Sequence, residues 1–433
     1  MLGAEAATAA LPSSGARNLP RTFQCDALAL VEVRVRLQSG DSQLAEAAAT
    51  IRQDADKYLR QEPLSIVGKP WTPPSGDKHD YMSLAPYFWP DPNKPNGIPY
   101  KRKDGQTNPQ RDEFDEPKMV KLCRSVRTLG LAWWVSGDER YAAKAAGLLR
   151  TWFLDPATRM NPNVNFGQFV PGVTNGRAEG ILETRGLMQV VDTIGLLGHS
   201  ASWTKQDQQG LEQWFRLYLQ WMMTSPIGQE EMAAENNHGN WFDAQAATYA
   251  MFVGDEKTAK QIVGNSLAHR VSKQIQPDGK QPFELARTKA FDYCVFSLEA
   301  LSAVATIGEL VGEDLWNERA ASGGSIRGAI DWLLPYATGE QSWPFEQIKK
   351  PKTGKLYELV RRAAIAYREP KYDALVSKFQ ADDADAEFVN LLYPAFRVTA
   401  PPSSAKPSSA SAGAKPKPGK TKKPVRSSKP SMN

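Results

Sequence analysis

Apolar residues recur at three- and four-residue intervals along most of this chain. The clearest early case is Leu44, Ala47, Ala48, Ile51, Ala55 and Leu59, a stripe that predicts an amphipathic helix over residues 42–59. From about Phe114 onward, helical patterns alternate with short breaks, and three breaks echo one another. They are Trp134-Val135-Ser136-Gly137-Asp138-Glu139-Arg140, Phe252-Val253-Gly254-Asp255-Glu256-Lys257 and Leu310-Val311-Gly312-Glu313-Asp314. In each, an apolar helix reaches a glycine that tolerates the left-handed closing position, and an acidic residue then caps or begins the next helix. Repeated hairpins of this kind, without Val/Ile/Thr strand alternation, predict an all-α fold: an α/α toroid, or incomplete α/α barrel, of antiparallel helical hairpins. Trp133, Trp134, Trp152, Trp214, Leu217 and Trp221 recur at helical spacing and are expected in the core between helices.

The pattern breaks between Gly68 and Pro117, where ten prolines, several glycines and many polar residues interrupt every period. Trp71, Tyr81, Tyr87, Phe88, Trp89 and Tyr100 lie in this stretch, and so many rings argue for an ordered loop along a groove rather than a solvating linker. Three divisions follow: an N-terminal extension over 1–40 that is a signal remnant at most, a helical domain over 41–395 carrying the aromatic loop, and a tail over 396–433. The first 18 residues lack a positive segment followed by an unbroken apolar core.

Composition adds exclusions. The 433 residues include 41% hydrophobic and 23% charged, as expected for a globular chain, and no run approaches the roughly 18 apolar residues of a membrane span. Three scattered cysteines, Cys25, Cys123 and Cys294, offer neither a disulfide framework nor a CxxC zinc site. The net charge of +5 misleads, because residues 401–433 hold seven lysines, one arginine and no acid, which leaves the body near −3. The tail therefore reads as a disordered basic extension, and the body lacks the diffuse basic face of a nucleic-acid binder.

Four histidines occur, at 79, 199, 238 and 269. His199 and His269 sit in helical stretches and read as surface or helix-end residues. His238 belongs to Glu235-Asn236-Asn237-His238-Gly239-Asn240-Trp241, a polar cluster expected as a short break before an apolar helix over 242–253. One helix cap explains one amide but not the whole cluster. A second constellation, Gln281 to Tyr293, contains Arg287 and Tyr293, whose six-residue separation would turn them about 120° apart on one helix. A break between them would let both reach one groove. Asn, His, Arg and Tyr together suit proton abstraction beside a carboxylate: the first three neutralise the acid group and Tyr removes the acidified α-proton. Since tyrosine starts near a pKa of about 10, the adjacent cations are expected to favour its phenolate. Uronic-acid polymers pose this problem, and loss of the glycosidic oxygen from carbon 4 makes the reaction a β-elimination.

Three segments carry a resemblance: Ser75 through Pro92, Asn236-Asn237-His238-Gly239-Asn240-Trp241, and Trp343-Pro344-Phe345-Glu346-Gln347-Ile348. From about residue 65 to 370 the chain resembles the alginate lyase domain shared by polysaccharide lyase families 5 and 38. The resemblance implies an α/α toroid that cuts mannuronate- or glucuronate-containing polymers by elimination. It implies that Asn237 and His238 engage the substrate carboxylate, that Arg287 supports the site, and that Tyr293 acts first as base and then as acid. Tyr293-Cys294 replaces the Tyr-His of family 5, whose Arg-to-Tyr spacing is also one residue longer. That departure favours the family-38 side, which includes glucuronan-active enzymes, so glucuronan stands beside mannuronate-rich alginate as substrate.

Trp241, Tyr81, His79, Trp71, Trp89, Gln168 and Arg177 are the expected substrate contacts, the last two because the stretch Asn161 to Arg177 resembles a substrate-lining loop of this family. No metal or cofactor is called for, and no Asp-rich loop of EF-hand spacing is present. The expected partner is an acidic polysaccharide, with no nucleic acid and no integral membrane association; the enzyme is expected to be monomeric and periplasmic or secreted. Two competing readings are a glycoside hydrolase, using Asp80 with Glu284 or Asp243 with Glu346, and a non-catalytic glycan-binding module.

Overall fold

Asp26 and Asp41 place their carboxylates on the backbone N–H groups of Leu28 and Leu44 and so start α1 (Ala27–Gln38) and α2 (Ser42–Leu59), the latter over the residues its apolar stripe predicts. The computed structural model describes residues 19–380 and 385–394. The signal remnant expected before residue 19 and the basic tail beyond residue 400 lie outside the described residues. The expected N-terminal extension overlaps α1, whose Leu30 and Val33 are buried in the main core.

A long irregular stretch after α2 contains β1 (Met82–Leu84), β2 (Phe88–Trp89) and β3 (Lys101–Arg102), then a 3-10 turn at Pro109–Glu113. β2 pairs antiparallel with β3, and β1 pairs parallel with β4 (Phe166–Phe169). The aromatic loop is thus ordered by two small sheets, which the broken sequence pattern did not predict. Helices follow: α3 (Glu116–Ser136), α4 (Glu139–Leu149), α5 (Leu187–Leu197), α6 (Lys205–Thr224), α7 (Pro226–Ala233), α8 (Asn237–Phe252) and α9 (Glu256–Ser266). The chain then runs through a π turn into α10 (Ser272–Gln274), α11 (Pro282–Leu285), α12 (Ala290–Val311), α13 (Ile326–Ala337), α14 (Leu356–Tyr367), α15 (Pro370–Gln380) and α16 (Ala386–Leu392).

Two of the three expected hairpin breaks form as predicted. Gly137 closes α3 in the left-handed region and Asp138 caps α4; Gly254 adopts a φ of 80° and Asp255 caps α9. At the third, Gly312 closes α12, but Asp314 accepts from Asn317 in a turn, and the next helix begins only at Ile326. Leu315 and Trp316 are buried in that turn, so packing rather than a cap directs the chain there.

The helices form an α/α toroid. Neighbours run from α2 to α3, α5, α8, α12 and α14, while α16 packs on both α14 and α2. Nearly every position of α8 is buried, including Asn237, Asn240, Asp243, Gln245 and Thr248, so this inner helix shows no one-sided stripe. Helix α12 is long and apolar enough to cross a membrane by length and composition, yet it is mostly buried among α8, α9, α13 and α14. Trp134, Trp152 and Trp214 lie in the core as expected, with Trp214 stacked on Tyr218. Leu217 is the exception: it faces outward, 43% exposed, one position off the buried face formed by Trp214, Phe215 and Tyr218.

Candidate active site

The first turn of α8 meets the segment between α11 and α12 beside a cavity of about 690 Å³, within the range of small-ligand sites. Its wall includes Tyr87, Gln168, Arg177, Arg185, Glu231, Asn237, His238, Arg287 and Tyr293. The four residues given catalytic roles by the resemblance therefore share one cavity.

The cluster around His238 is not a break before a helix but the start of one. Asn236 is the cap, its Oδ1 accepting from the His238 N–H at 3.0 Å, and α8 begins at Asn237. Glu284 on α11 satisfies the Asn237 backbone N–H at 2.7 Å and its Nδ2 at 2.8 Å. With these donors supplied, the helix starts five residues earlier than its apolar content suggests. Asn237 is fully buried, and its Oδ1 has no hydrogen-bond partner. Burial raises the Glu284 carboxyl above its usual range, against the two Asn237 bonds. His238 Nδ1 lies 2.7 Å from Glu231 Oε1 on α7; a carboxylate only accepts, so Nδ1 carries the proton and Nε2 is left for the cavity. Burial opposes charging of His238, but the Glu231 contact outweighs it and raises the imidazole above its ordinary value.

Arg287 lies in the break between α11 and α12, as the reading of a shared groove requires. Its Nη2 donates to Tyr293 OH at 2.8 Å, and its guanidinium carbon lies 3.8 Å from the Tyr293 ring centroid. The same nitrogen donates to Asp104 Oδ1 at 2.8 Å, while Thr288 Oγ1 donates to Asp104 Oδ2 at 3.0 Å. Asp104 is held at about 2, because the bonds from Arg287 and Thr288 overcome its partial burial. Gly105 follows with a φ of 69°, and a Cβ there would come within 2.6 Å of Thr288 Oγ1, so only glycine lets this loop approach so closely. Tyr87 OH lies 2.9 Å from Tyr293 OH. Burial and Tyr87 raise the Tyr293 phenol well above its ordinary value, and Arg287 only partly opposes them. In the free site Tyr293 is a neutral phenol, contrary to the expectation that the cations dominate.

Of the seven expected substrate contacts, Gln168 and Arg177 line the cavity. Gln168 adopts a φ of 48°, a strained conformation for a non-glycine residue that its backbone bond to Ser83 Oγ and side-chain bond to Glu179 O hold in place. Arg177 Nη2 donates to Gln168 Oε1 and pairs with Glu179. Tyr81 requires correction: its ring is fully buried and its hydroxyl donates to Glu183 Oε2 at 2.7 Å, which leaves no face for a ligand. Trp241 is likewise in the core, 8% exposed and packed on Phe296. His79 donates to Arg159 O, Trp71 stacks on Phe114 and Trp89 donates to Gln106 O; none of the three is on the cavity wall.

Asp80, Glu284, Asp243 and Glu346, the carboxylates weighed for hydrolysis, are all off the wall. Asp80 accepts from Ser75, Asn161 and Asn163, Asp243 is paired with Arg270, and Glu284 holds Asn237. Sequence reasoning missed Glu231 and Asp104 as partners of His238 and Arg287. Asp104 lies 183 positions from Arg287, and Glu231, though seven positions before His238, belongs to a separate helix, so no continuous helical face joins either pair. Tyr87 was legible only as one aromatic within a longer motif. Among the described residues, no group of three or more His, Cys, Asp or Glu side chains is placed to hold a metal ion.

Residues 65–343 match the family described as alginate lyase. An alginate lyase from Bacteroides ovatus has 39% sequence identity and a TM-score of 0.82, over 87% of this chain and 99% of that one. Alginate lyase A1-III from Sphingomonas species A1 has the same fold at 16% identity and a TM-score of 0.58, over 87% and 97% of the two chains. No curated protein matches the chain.

Proposed function

Because the chain belongs to the alginate lyase family, we propose that it is a polysaccharide lyase that cleaves β-1,4-linked uronate polymers, mannuronate-rich alginate foremost, by β-elimination. The reading rests on one observation above the rest: Tyr293 OH receives an N–H from Arg287 in the cavity that Asn237 and His238 also line.

In this mechanism the substrate carboxylate lies against His238 Nε2 and Arg287, with Asn237 set behind them in the wall, and these groups stabilise the charge that develops as the carbon 5 proton leaves. The Tyr293 phenolate takes that proton, the bond from carbon 4 to the glycosidic oxygen breaks, and a carbon 4–5 double bond forms. The same phenol then protonates the departing oxygen and returns to phenolate, so the proton count closes without water as a reactant. Burial keeps the phenolate a minor species in the free enzyme, so the rate rises with pH as that species grows.

Glucuronan is the second substrate reading, carried by the departure at Tyr293-Cys294. Cys294 is buried, away from the cavity wall, so the change alters core packing rather than a group that touches sugar. A polymeric acid does not cross a membrane, which supports export to the periplasm or beyond; cell fractionation tests it. Action as a monomer belongs to the same proposal and is checked by sedimentation.

The test is the ultraviolet absorbance of the unsaturated product, with the native enzyme and Tyr293→Phe in parallel on polymannuronate, polyguluronate and glucuronan. A rise that Tyr293→Phe abolishes supports the lyase and ranks its substrates. Absence of any rise with the native enzyme overturns it.

A further inference from the structure

The segment Glu346–Lys352 is pinned along the entrance to α12. Ala290 N–H donates to Glu346 O at 3.1 Å, Ile348 N–H donates to Thr288 O at 2.9 Å, and Phe291 N–H donates to Gln347 Oε1 at 3.1 Å. Lys352 N–H donates to Asp292 Oδ1 at 3.0 Å. This backbone pairing fixes three exposed lysines, Lys349, Lys350 and Lys352, beside the half-buried Lys289. Lys289 in turn reaches the reaction centre: its Nζ lies 5.7 Å from the Tyr87 ring centroid, and Tyr87 OH is 2.9 Å from Tyr293 OH.

The positive charge here is not taken up in ion pairs. Among the described residues, no carboxylate lies within ion-pair distance of Lys289, Lys349, Lys350 or Lys352, although Lys101, Lys273, Lys280 and Lys371 each have such a partner. Two acids face the cluster, and neither forms an ion pair with its lysines: Asp292 accepts from Gln347 Nε2 and the Lys352 backbone N–H, and Asp104 accepts from Arg287 and Thr288. Burial lowers the Lys289 ammonium from its usual value, the charges of Lys349 and Lys352 lower it further, and Asp292 and Asp104 oppose them only in part. A fold that holds like charges together through an ordered backbone gains from a bound polyanion that offsets them.

We propose that Lys289, Lys349 and Lys352 form a ledge that binds carboxylates of the polymer beyond the uronate being cleaved. The inference rests on the polyuronate reading above, and it adds a binding site outside the cavity. The ligand class is a linear chain bearing one carboxylate per sugar, long enough to leave the cavity and pass over the α12 entrance. Exposed ion pairs contribute modestly, so the ledge acts on affinity and leaves the bond-breaking step unchanged.

The test compares the native enzyme with the double variant Lys349→Gln, Lys352→Gln, both exposed positions. For long polymannuronate at low salt, KM is expected to rise about 5-fold with kcat unchanged, the scale of two exposed ion pairs. The rise disappears on the shortest oligomer that is cleaved, and it shrinks when salt screens the charges. An unchanged KM on polymer, or an equal rise on short and long substrates, overturns the ledge. Binding of the same polymer, followed by calorimetry, separates this proposal from the lyase reading. Lysine-dependent binding without any unsaturated product keeps the ledge and removes the lyase; product formation with equal binding by both proteins does the reverse.

Discussion

Asp104→Asn tests how the charge around Tyr293 is set. Arg287 Nη2 stands 2.8 Å from both Asp104 Oδ1 and Tyr293 OH, so the carboxylate lies no more than about 5.6 Å from the phenolic oxygen. At that separation a unit charge raises the cost of forming the phenolate by ~3 kcal/mol at an effective dielectric of about 20, and by roughly half that where solvent enters this partly exposed pair. Removing the charge while keeping an acceptor for Arg287 is therefore expected to lower the Tyr293 pKa by about 1 to 2 units. The sign follows from the mechanism: a more accessible phenolate moves the rising limb of kcat/KM to lower pH. The assay is unsaturated-product formation across the pH range for the native and variant enzymes, with circular dichroism to verify the fold. The position of the limb does not depend on absolute rate, so it reports charge even if the variant is slower. A folded variant whose limb stays in place or moves to higher pH refutes the claim that Asp104 offsets Arg287 at Tyr293.

Two further outcomes follow from the same geometry. Glu231→Gln replaces the charged partner of His238 Nδ1, and the loss of one charge-assisted hydrogen bond is expected to lower kcat/KM by about 10- to 100-fold; a change under twofold would show that Glu231 does not set the imidazole. Glu183 is held at about 7 because burial overrides the bonds from Ser83 and Tyr81. Its folded value exceeds its unfolded one, so the native state binds the proton more tightly and stability falls as pH rises from about 4.5 to 7, by ~3 kcal/mol as an order of magnitude. The melting temperature of Glu183→Gln should accordingly fall less between pH 5 and pH 8 than that of the native enzyme, and parallel curves would remove Glu183 as the cause.

Much of the helical frame was legible along the chain because it is local. The stripe from Leu44 to Leu59, the Gly137-Asp138 and Gly254-Asp255 closures, and the break that frees Arg287 from the Tyr293 helix all depend on neighbouring residues. The start of α8 was misplaced by five residues because the groups that satisfy it lie elsewhere: Glu284, 47 positions away, accepts two of its donors. Tyr81 was misread for a related reason. Aromatic composition shows that a loop is ordered but not which face of each ring meets protein, and here the Glu183 carboxylate draws the Tyr81 hydroxyl inward.

The residue types for a proton abstraction beside a carboxylate, and the helical period that stacks hairpins into a toroid, were present in the order of the amino acids. Partnership across distance was not. Asp104 offsets Arg287 and Tyr87 faces Tyr293 only after the toroid and the aromatic loop have closed around one cavity, and even Glu231 meets His238 only through the angle between α7 and α8. The physical reason is that hydrogen-bond periodicity and capping act over a few residues of chain, whereas burial and charge act through space between segments as much as 206 positions apart. The protonation state of Tyr293, on which the proposed reaction turns, belongs wholly to the second kind.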